Sequence, residues 1–314
     1  MFQVMVHADW SVSPAKRWCA WASRRAGGWQ VAAPRPVRDA PGFTAALLAA
    51  RAVGPVLAGF DFPLGLPFAY GRQTGLTGFR DALAVFGSAP GWEDALQIAS
   101  DPSEVSLRRP FFPREARAGV RRGMLVTGLG LETATDLLRV CERGGGPGFR
   151  QACPVFWTLG ANQVGRAAIA GWREVVVPAR AAGAALWPYD GPLEQLARAG
   201  ALVLAETYPA DAYARTGAAF GNRASKRRRS DRQARAAAIM AWAAGAGIDL
   251  AACRQVLFEG FGDAPTGEDA FDALLGVLDM IAVAERRRAA LPDGLSADRL
   301  AWEGWILGRP HPGT

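Results

Sequence analysis

Three short apolar runs in this chain each carry one carboxylic acid at or near the carboxyl end. The runs cover residues 2–9, 55–62 and 201–207, and the acids are Asp9, Asp61 and Glu206. Compact apolar runs of this length, bounded by polar or turn residues, are typical of buried strands. In an open α/β sheet the functional crevice lies at the carboxyl ends of the strands. The pattern therefore predicts an α/β fold with a group of acids at one edge of its sheet.

The remaining pattern predicts how the sheet is built. The first 62 residues read as three strands, a helix and a fourth strand, and the later chain adds helices on the faces of the sheet. A further strand is predicted at 173–178, a long helix at 228–246 and the most regular helix of the chain at 266–290. The expected architecture is a mixed sheet flanked by helices, with a long, partly helical insertion.

The insertion is expected at residues 68–160, where Gly and Pro are frequent and only short helical pieces occur. A long irregular segment inside a compact domain is usually functional, such as a lid or a binding loop. A small helical subdomain that only packs against the rest would give the same pattern, and the residues leave both readings open. We therefore predict one core formed by residues 1–67 and 161–314, interrupted by the insertion.

The helix at 266–290 carries two acids three residues apart, Asp269 and Asp272. At 100° per residue, the large apolar residues from Phe271 to Ala282 fall on one stripe, and the two acids lie side by side away from it. The pair can therefore face a site while the stripe packs. Alternatively, Glu268 and Asp269 only favour the helix N-terminus, where acids are stabilising; this explains Asp272 less well.

Composition excludes several other kinds of chemistry. His7 and His311 are the two histidines, and the four cysteines lie far apart without a CxxC pair, so neither a histidine-based triad nor a zinc site is indicated. No apolar run is long enough to span a membrane, and the opening residues lack the features of a signal peptide. We expect a cytoplasmic protein whose acid–base or metal chemistry depends on carboxylates.

Clustered carboxylates repel one another unless a cation lies between them. Oxygen ligands without His or Cys suit Mg²⁺ or Mn²⁺, and two such ions about 4 Å apart activate a water and stabilise the leaving oxygen in phosphoryl transfer. The residues thus predict a metal site formed by Asp9, Asp61, Asp269 and Asp272.

The order of four motifs resembles the DUF429 family of predicted nucleases with an RNase H-like fold. The motifs are the first strand ending on Asp9, FDFPLGLP at 60–67, ETYPA at 206–210 and the helical DAFDALLG at 269–276. The last motif is also similar to the final helix of RuvC-type resolvases. The resemblance covers roughly residues 1–67 and 200–290 and leaves the insertion unmatched.

The resemblance implies catalytic and metal-binding roles. By it, Asp9 is the first-strand acid that bridges metals, Asp61 the fourth-strand acid, and Asp269 or Asp272 the acid of the closing helix. Glu206 matches the acid of the E-x-x-P segment and joins the candidate catalytic residues. The segment WSVS after Asp9 lacks the glycine with which sugar-kinase-like relatives of the fold admit a nucleotide phosphate, which argues against ATP use.

The chain has a net charge of +7, and the segment SKRRRSDRQAR at 225–235 is its densest group of charges. Lys226 and Arg229 of this segment are candidate substrate-binding residues, since cations hold a phosphate backbone, although an ordinary solvated helix start has the same composition. Nearly all of the basic residues are arginines, and a GC-rich genome would also explain this composition. Arg108 and Arg109, which we expect beside exposed Phe111 and Phe112, and Asn162 complete the candidates.

The function expected from these residues is a Mg²⁺- or Mn²⁺-dependent phosphodiester hydrolase, a nuclease acting on DNA or RNA. One alternative is a hydrolase or phosphotransferase that uses the same scaffold on a small molecule, because a fold does not fix a function. A non-catalytic nucleic-acid-binding module is the other alternative, and the carboxylates argue against it.

Overall fold

The computed structural model describes residues 1–115, 121–144, 149, 151–160, 163–221 and 223–312. Within these residues, eight strands form one mixed sheet, and helices flank it. The strands are β1 (Val4–Asp9), β2 (Trp18–Arg25), β3 (Gly28–Val31), β4 (Arg35–Pro36), β5 (Val56–Phe60), β6 (Ala185–Leu186), β7 (Leu202–Glu206) and β8 (Ile248–Asp249). The predicted α/β class and the mixed sheet are confirmed.

The α-helices of the described residues range from one turn to five turns. They are α1 (Ala40–Ala50), α2 (Phe68–Gly71), α3 (Phe79–Val85), α4 (Arg122–Gly128), α5 (Val164–Gly171), α6 (Val177–Ala181), α7 (Leu193–Arg198), α8 (Pro209–Arg215), α9 (Arg229–Gln233), α10 (Ala236–Gly245), α11 (Arg254–Phe258), α12 (Gly267–Ala284) and α13 (Ala297–Glu303).

The strands lie in the order β6-β7-β5-β1-β2-β3-β8, and β4 also pairs with β2. The first three strands are antiparallel neighbours, whereas β5 runs parallel to β1 and β7 runs parallel to β5. All five residues of β5, at the centre of the sheet, are buried, as is typical of a strand with parallel neighbours. Because β1, β5 and β7 run parallel to one another, their carboxyl ends lie at the same edge of the sheet.

Helix α12 packs against β1, β2, β5 and α8, and it is the longest helix of the described residues. Gly276 of α12 lies against the ring of His7 in β1 so closely that a methyl group at Gly276 would overlap the imidazole. Gly59 of β5 approaches Met280 of α12 in the same way. The sequence predicted that α12 buries only one apolar stripe. In the structure almost every residue from Ala270 to Val283 is buried, so the helix is covered on more than one side.

The chain divides into two compact units. The first unit contains the whole sheet and comprises Met1–Asp61, Pro178–Leu291 and Ile306–Gly308. The second comprises Phe62–Val177, Pro292–Trp305 and Arg309–Thr314. The segment expected as an insertion is thus part of a unit that also takes in residues on either side of 68–160 and near the C-terminus.

Buried charges inside the second unit explain why the chain returns to it after residue 291. Arg139 is fully buried and donates to the Glu142 carboxylate and to the backbone oxygen of Glu303 in α13. The Glu303 carboxylate in turn accepts from the backbone N–H of Val140 at 2.7 Å. Buried charges require such partners, so residues 292–305 complete this unit. Periodicity in the sequence does not reveal a pairing across 160 residues.

Aromatic side chains form the core of the second unit. Phe111 and Phe112, expected to be exposed, are both fully buried, and Phe111 contacts Phe156 and Trp172 edge-on. The expectation was wrong because RRPFFPR alternates charge and bulk like a surface loop, whereas its rings have aromatic partners distant in sequence. The aromatic pair is therefore core and offers no stacking surface.

Three predicted elements differ from the structure. The helix expected at 266–290 is α12, which ends at Ala284. Residues 173–178 were expected as a strand, but Trp172–Val176 forms a π-helical turn between α5 and α6. The long helix expected at 228–246 is divided into α9 and α10 near Ala234. Short apolar runs such as REVVV fit a buried helix and a strand equally, so only the packing decides between them.

None of the helices in the described part of the chain combines the length and the apolar character needed to cross a membrane.

We expect Gly276→Ala to destabilise the protein although alanine favours helices by about 1 kcal/mol over glycine. The added methyl group would press on the His7 ring, whose Nε2 is hydrogen-bonded to Thr207 Oγ1 at 2.8 Å. Overpacking of this kind costs about 1–3 kcal/mol. Denaturant unfolding measures the change. Gly245→Ala in α10, where a methyl group meets open space, is the control and should be neutral or slightly stabilising. An unchanged midpoint for Gly276→Ala would contradict the close contact.

Candidate active site

Strand register places the first two predicted acids side by side. Ala8 of β1 and Phe60 of β5 are the last register partners of the two parallel strands, so Asp9 and Asp61 come next along these neighbouring strands. Adjacent strands are about 5 Å apart, and residues in register point to the same face. Both side chains therefore emerge at the same sheet edge, and both are half-buried.

Helix α12 brings the other two acids to the same place. Asp272 lies one helical turn before Gly276, and Asp9 lies two residues beyond His7 on the same face of β1. The close packing of Gly276 on His7 thus fixes Asp272 beside Asp9, and Asp269 follows one turn further along. We call Asp9, Asp61, Asp269 and Asp272 the carboxylate cluster.

The charges of the cluster act on one another. Burial and the nearby carboxylates of Asp61 and Asp272 raise the pKa of Asp9 well above its ordinary value. Burial raises the pKa of Asp61 to about 7, and Asp272 adds to the rise. The backbone N–H of Trp10 opposes this shift by donating to Asp61 Oδ1 at 2.7 Å. The four acids are therefore a group of repelling charges with too little compensation.

Asp272 is the most deeply buried member of the cluster, and both of its oxygens have partners. Tyr213 of α8 donates its hydroxyl to Oδ1 at 2.6 Å, and the Lys226 ammonium forms an ion pair with Oδ2. Burial and the Asp272 charge raise the pKa of the Tyr213 hydroxyl well above its ordinary value, so it stays a donor. Sequence reasoning missed Tyr213, because a tyrosine in the helix after a strand carries no signal until the fold is known.

Asp269 is the member with an unused oxygen. Burial and the neighbouring Glu268 and Asp272 charges raise its pKa to about 6. Its Oδ2 is buried and accepts no hydrogen bond from the part of the chain that the structure describes. A buried carboxylate oxygen without a donor is costly, and a cation would satisfy it.

The donor chemistry of the cluster fits a hard divalent cation, because it offers carboxylate oxygens and one of them is unpartnered. The positions are not those of a closed ligand set, however. Across the described residues, no group of three or more His, Cys, Asp or Glu side chains is arranged to hold a metal ion. Cations of the chain itself lie near these carboxylates: the Lys226 ammonium pairs with Asp272, and the Lys16 charge acts on Asp269.

Glu206 does not join the cluster. It is the register partner of Phe60, so it points to the face of the sheet opposite to that of Asp61. There it is buried, and its backbone oxygen accepts from Leu307 N–H at 2.9 Å. The acid in the third run stands one register position earlier than Asp9 and Asp61, a displacement that the sequence cannot show because register is a long-range property.

Of the two candidate cations in the basic segment, Lys226 reaches the cluster and Arg229 does not pair with it. Arg229 instead forms an ion pair with Asp263 at 2.7 Å and donates to the backbone oxygen of Glu259 at 2.8 Å. Arg227, next to Lys226, is 77% exposed and lies 3.8 Å from the Glu268 carboxylate. The neighbourhood of the cluster thus combines buried acids with an exposed cation.

Two other predicted substrate-binding residues, Arg108 and Arg109, belong to the second unit. The Arg108 guanidinium stacks on the ring of Trp92, 3.6 Å from its centroid, and Arg109 pairs with Glu104 at 2.9 Å. Both arginines therefore have partners within their own unit. Asn162 lies outside the described residues.

Comparison of the chain with protein-family models, with curated proteins and with solved structures yields no match.

We expect Asp61→Asn to stabilise the protein at pH 8 and to lose this advantage as the pH falls. The folded state raises the Asp61 pKa from 3.8 to about 7, so it holds a proton that the unfolded state releases. Between these values the stability of the wild type falls as the pH rises, by at most about 4 kcal/mol in total, and solvent screening of the half-buried carboxyl reduces this amount. The asparagine carries no charge and keeps the oxygen that accepts from Trp10.

Urea unfolding of both proteins from pH 4 to pH 8 measures this difference. Gly245→Ala, which changes no titratable group, should differ from the wild type by the same amount at every pH. If the difference in unfolding free energy between Asp61→Asn and the wild type were constant over this range, burial would not raise the Asp61 pKa.

Proposed function

We propose that the chain is a metal-dependent phosphodiester hydrolase of RNase H-like fold that acts on nucleic acid. The observation that carries the proposal is the carboxylate cluster at the carboxyl ends of β1 and β5, closed by α12. Burial and neighbouring carboxylates raise the pKa of Asp9, Asp61 and Asp269. Such a cluster has no evident structural use, because replacing its members by neutral groups would remove the repulsion. Perturbed carboxylates gathered at a sheet edge are instead typical of a catalytic site.

The sheet topology supports the RNase H-like part of the proposal. Three antiparallel strands open the chain, and β5 and β7 then extend the sheet in parallel on the other side of β1. This is the arrangement that an RNase H-like core requires for its first and fourth strands to be neighbours. The first strand of this chain ends on Asp9, and the fourth, counted without the short β4, ends on Phe60 directly before Asp61.

Asp9, Asp61, Asp269 and Asp272 are the residues that would hold Mg²⁺ or Mn²⁺. When bound, the metal would supply Lewis-acid stabilisation of the phosphoryl oxygens and lower the pKa of a water nucleophile. The Trp10 N–H holds Asp61 in one orientation, and the Tyr213 hydroxyl does the same for Asp272. These second contacts keep the carboxylates in place as ligands and proton acceptors.

An exposed arginine beside the cluster supports a polyanionic substrate. Arg227 follows Lys226 directly and its side chain is 77% exposed, whereas the next residue, Arg228, is paired with Asp231. Guanidinium groups bind phosphate oxygens with two parallel hydrogen bonds, so this segment suits a phosphate backbone approaching the cluster. The cytoplasm is the proposed location, which agrees with four cysteines that form no disulfide.

Asp9→Asn is expected to lower the rate of Mg²⁺- or Mn²⁺-dependent cleavage of DNA and RNA oligonucleotides by on the order of 100-fold or more. The change removes the charge at the centre of the cluster and preserves the shape of the side chain. The same variant should melt at a higher temperature without metal, because one repelling charge is gone. Asp293→Asn, at an exposed residue of the second unit, is the control and should keep its activity. Full activity of Asp9→Asn would refute the assignment.

Oligonucleotide binding should weaken steeply between low and high salt, because several phosphate contacts release counterions. Arg227→Met should reduce the dependence of the logarithm of the affinity on the logarithm of the salt concentration by about one. Fluorescence anisotropy at several salt concentrations, with Asp9→Asn to prevent cleavage, measures both. A small-molecule hydrolase or phosphotransferase on the same scaffold would show no oligonucleotide binding even at low salt, which would contradict the nuclease. Binding by a chain that cleaves nothing with either metal would favour a non-catalytic binding module.

A further inference from the structure

Lys226 combines a fixed backbone with a side chain that has room to move. Its backbone oxygen accepts from Arg232 Nη1 at 2.6 Å, and the buried Arg232 also donates to the backbone oxygens of Gly260 and Gly262. Ser225 N–H donates to Asp231 at 2.9 Å and holds the preceding residue. The Lys226 side chain is 36% exposed, whereas its partner Asp272 is 6% exposed. The ammonium can therefore swing into solvent while its anchor stays in place.

The ammonium is placed where a metal ion would neutralise the cluster. Its ion pair is with Asp272 Oδ2, and its charge also acts on Asp9, Asp61 and Asp269. Lys226 is the cation that pairs directly with the cluster, while Lys16 acts on Asp269 and Arg232 acts on Asp272 from further away. The pKa values of Asp9, Asp61 and Asp269 remain raised, so compensation is incomplete, and a divalent ion would supply twice the charge of the ammonium. Two cations cannot share the same oxygen at close range without strong repulsion.

We propose that Lys226 is an internal cation that closes the carboxylate cluster when no divalent metal is bound and leaves Asp272 when the metal enters. The inference rests on the proposed function, since it concerns the metal site of that activity. Lys226 acts here as a positioning residue that holds Asp272 in the absence of metal. Arg232 holds the Lys226 backbone in place through its hydrogen bond to the backbone oxygen, so only the Lys226 side chain has to move.

Metal binding itself gives the first test. Calorimetric titration of the full chain with Mn²⁺ should show an affinity that rises roughly tenfold in Lys226→Met, because binding no longer has to displace the ammonium. Lys226→Arg keeps the charge and should not gain affinity. Arg254→Met removes an exposed positive charge elsewhere in the first unit and controls for net charge. Melting curves without metal show that each variant is folded.

The composition of the chain allows a second readout that involves no activity. Lys16 and Lys226 are the two lysines, so reductive methylation with ¹³C-formaldehyde labels two side chains and the N-terminus and keeps their charge. Lys226→Met identifies the Lys226 resonance by its loss. Saturation with Mg²⁺ should move that resonance to the position of a solvent-exposed lysine.

The outcomes separate the inference from the proposed function. Equal Mn²⁺ affinity in the wild type and Lys226→Met, or a Lys226 resonance unmoved by bound Mg²⁺, would overturn the internal cation and leave the metal-dependent reaction standing. No binding in any of these proteins would overturn both. Binding in Lys226→Met but not in the wild type would support the internal cation and contradict a metal-dependent reaction of the wild-type chain.

Discussion

The packing of Gly276 against His7 is the contact on which the candidate site depends. A helix can approach a strand this closely only where a residue without a side chain meets it, and the buried imidazole is held by Thr207. From that crossing point, one helical turn along α12 and two residues along β1 lead to Asp272 and Asp9. The position of the acids therefore follows from a steric fit in the core.

The electrostatics of the cluster oppose that fit. Burial and mutual repulsion disfavour ionised Asp9 and Asp61, and the Lys226 ammonium, together with the Trp10 N–H at Asp61, offsets this in part. Asp272 is held by the Tyr213 hydroxyl and the Lys226 ammonium. A structure selected only for stability would replace such a group by apolar residues. This incompletely compensated group of charges is the observation from which the proposed activity and the proposed role of Lys226 both start.

The sequence was a good guide wherever the evidence was local. Apolar runs predicted the strands that carry Asp9 and Asp61, and helical periodicity predicted α12 within a few residues at its start. It failed where a choice depended on distant partners. Phe111 is buried because Phe156 and Trp172 receive it, and Glu206 points away from the cluster because of the register between β5 and β7. Neither partner lies within the window that a pattern can read.

The sequence by itself determined the α/β class, the acids at the ends of the first and fourth runs, and a helix with two acids a turn apart. Only the tertiary structure decided that α12 crosses β1 at Gly276, that Tyr213 and Lys226 meet on Asp272, and that residues 292–305 complete the second unit. The physical reason is the range of the interactions. Strand and helix propensity act between neighbours in sequence, whereas register, close packing and ion pairing are settled between segments that only folding brings together.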